Sequence, residues 1–465
     1  MRTPTLRLTV VIGIFTLYFT LATGNVAAQP AVEPLATPPA VEEQQSLEVK
    51  DAIERFKQGD IAGTREKLEE AVKKDPELPP ALIMLYRLFQ GARQETGMRL
   101  ALEMAVLETP DDPEAFIALG GFALSGSRVT DAGLLFDKAA ELMKTFQGSA
   151  KRKSALQPQI YAGLATVAAS RARMVPQEQR DAMLTVARGH LEAWELADPD
   201  SAEAKWQLGN VLFQLRDPNA ALEKFKEAKT ANPAIRHWAT QMAVLYYTHA
   251  VPDEASAKDW ITFALQTDKD SLDTQLAAVQ LFLDMGDLEK AKDHASTAIQ
   301  QDQTSLPAKI LRGTISMHQK DYVTAERYFD SAHQQSPSSF EATNNLALAL
   351  CEQDDEIQKR RALEFAGTNW QLHEKSRNAA TAASTLGWVY YKLGQLQNAG
   401  QMLRTSLQGG SRSADTFYFV ARVSIDLNPE QNKAEAIKAL ETALSTKRPF
   451  WKKQDAEDLL RQLNR

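Results

Sequence analysis

The chain repeats itself every 34 residues, and that interval limits its fold more than any other property. Pro76 and Pro110 stand 34 residues apart, and each closes a similar stretch, EEAVKKDP and LEMAVLETP. Gly286, Ala291, Ala295 and Ala298 are answered 34 residues later by Lys320, Ala325, Phe329 and Ala332. A unit of that length is one supersecondary element, which buries its apolar face only against the next unit. From residue 46 onward strand signals are missing, and Ala, Leu, Glu, Lys and Gln carry apolar residues at helical spacing. Gly59-Asp60, Arg216-Asp217-Pro218, Gly286-Asp287 and Gly394-Gln395 break the pattern as short turns. The expectation is an all-α chain of antiparallel helix pairs.

The clearest unit holds Leu208-Gly209, Ala221, Phe225, Ala228 and Pro233, and another holds Leu386-Gly387, Tyr390, Gly394, Ala399 and Leu403. Small residues at Gly209, Ala221 and Ala228 let two backbones approach, while Leu208, Leu212 and Phe225 fill the volume around them. In period and residue types the chain resembles the tetratricopeptide repeat (TPR) family, of the exported bacterial type. The resemblance implies a right-handed α-solenoid of about eleven helix pairs, starting near Gln45, Pro79, Pro113, Pro158, Ala202, Arg236, Leu272, Leu306, Phe340, Ala380 and Ala414. Units one to three fall in 46–147, a basic polar linker in 148–157, units four to eleven in 158–450 and a capping helix in 451–465.

The N-terminal residues predict export. Arg2 and Arg7 flank the start of an apolar run over 8–22, and Val26-Ala27-Ala28 supplies the small residues of a cleavage site. This is the pattern of a secretory signal peptide over 1–28, which places the mature chain in the periplasm or outside the cell. The alternative is an uncleaved anchor at 8–22. A stiff Pro/Ala/Glu-rich tether follows at 29–45. No integral membrane span is expected after cleavage.

Chemistry-bearing motifs are missing. The sequence holds no dinucleotide or phosphate-binding glycine loop, no H-E-x-x-H and no G-x-S-x-G, and no two of its histidines are spaced i, i+4. Neither a catalytic residue, a metal site nor a cofactor is expected. The net charge of −7 argues against nucleic acid as a partner. Cys351, beside Glu352, reads as a half-buried structural residue. Lys151-Arg152-Lys153 reads as a solvated loop.

In solenoids that this chain resembles, first helices line a concave surface that binds extended or helical segments. Carried onto this sequence, the groove includes Trp206, Asn210, Phe213, Tyr247, Trp388, Tyr391 and Tyr418. Its acids are Glu114, Glu203, Asp273, Asp284, Glu341, Glu352, Asp415 and Asp426, against Lys57, Arg87, Lys392 and Arg422. Asn210 and Asn344 lack the cations of a carboxylate clamp. The expected partner is therefore a protein segment carrying Lys or Arg beside apolar residues.

Overall fold

A computed structural model describes residues 46–249, 252–446 and 448–465. The expected signal peptide and tether lie outside the described residues. Those described form 23 α-helices and no strand. None of these helices is long and apolar enough to cross a membrane. They fall into two compact units, one ending at Trp238 and one running from Ala239 to Arg465.

The first unit contains five hairpins: α1 (Leu47–Lys57) with α2 (Ile61–Lys74), α3 (Ala81–Gly91) with α4 (Glu95–Glu108), α5 (Pro113–Ser125) with α6 (Val129–Met143), α7 (Ala150–Met174) with α8 (Gln177–Ala197), and α9 (Ala202–Gln214) with α10 (Pro218–Ala231). The second contains six, opening with α11 (Trp238–Thr248) and α12 (Glu254–Thr267), then α13 (Leu272–Asp284) with α14 (Leu288–Gln301) and α15 (Leu306–His318) with α16 (Tyr322–Gln335). Three more follow: α17 (Phe340–Cys351) with α18 (Glu356–His373), α19 (Ala379–Lys392) with α20 (Leu396–Gln408), and α21 (Ala414–Leu427) with α22 (Pro429–Leu444). α23 (Lys453–Leu463) packs on α22 at the end.

Local chemistry sets these boundaries. First helices begin at serines: the side chains of Ser201, Ser271, Ser305, Ser339 and Ser413 accept the amide hydrogens of Ala204, Thr274, Ala308, Ala342 and Thr416. Second helices begin at aspartates, with Asp60, Asp217, Asp253, Asp287 and Asp321 playing the same part. Each such cap contributes roughly 0.5–2 kcal/mol. Before several of them the chain reverses through a left-handed residue, a glycine at Gly59 (φ 81°) and Gly286 (φ 80°) but Arg216 (φ 68°) and Lys320 (φ 58°) elsewhere.

Close approach within each hairpin explains the small residues of the repeat. A Cβ on Gly209 would stand 2.6 Å from the Phe225 ring, and one on Gly313 would stand 2.5 Å from Phe329. Both rings are fully buried, as are Ala221 and Ala325 on the same second helices. In the second unit successive first helices also touch one another, α13 on α15, α15 on α17, α17 on α19 and α19 on α21. Second helices are spaced more widely, so the first helices form the inner, concave layer of that unit.

Two features of the fourth hairpin depart from expectation. Residues 150–157 are not a linker but the first two turns of α7, and Pro158 lies inside that helix instead of opening it. Ser149 caps the helix early, Leu156 is buried, and Arg152 is drawn inward from the supposed solvated loop. Its guanidinium pairs with Asp112 and Glu114, each at 2.9 Å, and Glu114 also binds Arg87. Burial raises the pKa of the Asp112 carboxyl, against the pull of Arg152.

Replacing Ala221 or Ala325 by leucine overpacks one hairpin and is expected to cost about 1–3 kcal/mol. Hydrogen exchange should show lost protection in that hairpin and its immediate neighbours. Uniform loss along the chain would contradict the stacked arrangement.

Candidate functional site

The inner layer of the second unit brings together most of the residues expected to face a groove. Trp388, on α19, is 2% exposed. It stacks on Phe419 at 4.2 Å and on Tyr391 at 4.8 Å, with Tyr418 at 5.7 Å. The Tyr391 hydroxyl donates to Asp426 Oδ2 at 2.7 Å and accepts from Arg422 Nε at 2.9 Å. Arg422 also pairs with Asp426 at 3.2 Å, so this trio ties α19 to α21.

Glu352 follows α17 and has a side chain only 3% exposed, a position no carboxylate holds without compensation. Three donors supply it: Trp388 Nε1 at 2.6 Å, Lys392 Nζ at 3.2 Å and Lys452 Nζ at 2.8 Å. Lys452 is itself buried, and its ammonium also meets Asp455 at 3.1 Å and lies 4.4 Å from the Trp451 ring centre. Burial works to lower its pKa, but Glu352, Tyr322 and Asp455 outweigh it and hold the group above its ordinary value. Neighbouring Cys351 is fully buried rather than half-buried, and Sγ donates to the Leu348 carbonyl at 3.3 Å. Burial, then Glu352, pushes its thiol well above its ordinary pKa, which removes nucleophilic character.

A second cluster lies further along the same layer. Tyr247 on α11 is buried, and the guanidinium of Arg448 sits 5.6 Å from its ring centre. Asp284, at the end of α13, accepts from Gln280 at 3.0 Å through Oδ1, while its buried Oδ2 has no hydrogen-bond partner among the described residues. Burial pushes its carboxyl up to about 6, against the opposing charge of Arg448. Asp415 likewise keeps a buried, unpartnered Oδ1, and burial raises it to about 7 despite Lys452.

Other expected residues stand apart from these clusters. Glu341 and Asp273 are half-buried in the first turns of α17 and α13. In the first unit Trp206 packs at 4.7 Å on Phe225 within its own hairpin, Phe213 is buried, and Asn210 is half-buried. Glu114 and Arg87, expected in the groove, are held by the buried Arg152 network.

Sequence reasoning missed Arg448, Trp451 and Lys452, which it assigned to the last unit's edge and the terminal cap. The chain leaves α22, passes Pro449 and returns across the unit, where Trp451 meets Tyr322 at the start of α16 edge-on at 6.4 Å and Asp455 pairs with Lys320, in the turn before α16, across 135 residues at 2.8 Å. A visible signal existed: the run Arg448-Pro449-Phe450-Trp451-Lys452 has the chemistry expected of a ligand for this surface.

Stacked hairpins with an inner helix layer rich in aromatic and charged groups define an α-solenoid. The tetratricopeptide repeat model matches residues 184–234 and 276–340, and the same hairpin recurs on either side of both stretches. The chain thus carries tetratricopeptide repeats at residues 184–234 and 276–340 within an all-α array of hairpins, a fold that suggests a protein–protein interaction scaffold. No curated protein matches the sequence. Among solved structures it is similar to a tetratricopeptide repeat protein from Parabacteroides merdae, at 15% identity over 57% of this chain and 99% of that one, with a TM-score of 0.45. It is also similar to yeast Tom70, at 14% identity over 90% and 95% of the two chains and a TM-score of 0.38. The Cut9–Hcn1 hetero-tetramer of the APC/C gives 12% identity over 89% and 95%, with a TM-score of 0.42.

The two raised carboxyls predict a pH dependence. Because the folded state favours their protonated forms, they weigh against folding once the unfolded chain ionises above their ordinary 3.8, and fully so above about 7. Asp415→Asn should therefore raise the melting temperature at pH 8 and change it little near pH 4. A uniform shift at both pH values would contradict this account.

Proposed function

We propose that this protein is an exported, non-catalytic adaptor, working in the periplasm or outside the cell in envelope assembly or polymer export. In this reading it holds segments of other proteins against the inner layer of its second unit. The observation that carries the binding reading is the cluster of Trp388, Tyr391, Tyr418, Glu352 and Arg422, contributed by successive first helices to one surface. Aromatic anchors flanked by charge suit a polypeptide: ring burial supplies affinity, and the acids favour Lys or Arg while rejecting acidic competitors. Export is supported by Arg2, Arg7, the apolar run at 8–22 and Val26-Ala27-Ala28.

A rival surface exists on the second helices, where Val323 of α16 and Ile357 and Leu372 of α18 are 68%, 71% and 65% exposed. Photo-crosslinkers placed at Asp273 and Glu341 on the inner layer, and separately at Ile357 and Leu372, distinguish the two in envelope extract. Partner adducts are expected from the inner positions; adducts only from α18 would overturn the inner-face reading. Mass spectrometry of the mature chain should find Gln29 at its N-terminus. An intact Met1 end in washed membranes would instead favour a regulator anchored by its uncleaved N-terminal helix.

A further inference from the structure

We infer that residues 448–452 are a tethered occupant of the second unit's inner face, and that a partner segment of the same chemistry, with Arg or Lys set among aromatic residues, binds there by exchange with it. The inference rests on the inner-face reading above and adds to it the partner's chemistry and the internal competitor.

The occupant is seen in place. The described residues between α22 and α23 are not helical, and among them Arg448 lies against Tyr247, Trp451 against Tyr322 and Phe419, and Lys452 against Glu352 and Trp388. From five consecutive residues these contacts reach the first helices α11, α19 and α21, the end of α17 and the start of the second helix α16. Guanidinium over a tyrosine ring and ammonium beside indole rings are the interactions that a foreign basic-aromatic segment would make with the same groups.

The fit of this occupant is incomplete, which is what makes exchange favourable. With residues 448–452 in place, Asp284 Oδ2 and Asp415 Oδ1 remain buried without hydrogen-bond donors among the described residues. A buried acceptor left unmade is costly, so a segment that brings a donor to either oxygen gains over the tethered one. Arg448, Pro449 and Trp451 are also only half-buried. The tether compensates by keeping the segment at high effective concentration. Such an occupant holds the surface against weak ligands and yields to one that satisfies the two acids.

The test uses the full chain and a labelled synthetic peptide of residues 446–453, TKRPFWKK. A variant with Arg448→Ser, Phe450→Ser and Trp451→Ser should bind the peptide at least tenfold more tightly than wild type, and the milder Arg448→Ala should lie between them. A peptide with its Lys and Arg changed to Glu should bind neither. In wild type, saturating peptide should speed hydrogen exchange of residues 446–453 while slowing it along the inner helices. Circular dichroism confirms that each variant keeps its helices. If folded variants bind the peptide no better than wild type, and exchange at 446–453 is unchanged, exchange binding is wrong although the face still takes a segment. If no form binds it, both the exchange and the inner-face reading fall.

Discussion

Where Gly209 and Gly313 face the rings of Phe225 and Phe329, no room remains for a methyl group, and the two helices of each hairpin meet at the distance a bare backbone allows. That contact fixes how a first helix leans on its second, and so how the next hairpin must lie. Serine and aspartate caps then fix where many of the helices begin. Because hairpin after hairpin closes through small residues in this way, first helices return to the same side, and residues 34 positions apart become neighbours across a surface. The inner layer is thus a consequence of packing inside hairpins, and its side chains are free to vary.

Much of this was legible in the sequence because its determinants are local. The small and aromatic positions recur at a fixed interval, and the turns carry Gly-Asp, Arg-Asp or Lys-Asp pairs that both reverse the chain and cap the following helix. Expected unit starts at Pro113, Ala202, Leu272, Leu306, Phe340 and Ala414 coincide with the first residues of helices. The fourth unit was misplaced because Pro158 looks like a helix start. α7 begins earlier, at the Ser149 cap, and its first turn is held by an ion pair between Arg152 and residues some 40 positions before it, which no local pattern reveals.

The same division applies to the site. Trp388, Tyr391, Tyr418, Glu352 and Arg422 could be placed together by helical position alone. Part of the surplus of acid that the sequence assigned to this face is answered from within: Glu352 by Lys392 and Lys452, Asp426 by Arg422 and Tyr391. Lys452 lies 100 residues from Glu352, and its arrival depends on the path taken after Pro449. Counting charges along helices therefore described the surface before its own chain was laid upon it.

The pair formed by Lys320 and Asp455 has a consequence for how the molecule comes apart. Helical-repeat arrays have mostly near-neighbour contacts, and their terminal units open first, one after another. Here the last helix is fastened to the turn after α15, and Lys452 is fastened to the end of α17, so the intervening hairpins are enclosed in a loop. The C-terminal end cannot peel without breaking contacts that span 135 and 100 residues. This stretch acquires the high contact order and concerted opening of a globular domain, closing late during folding, while the opposite end of the chain keeps the stepwise behaviour of a simple stack.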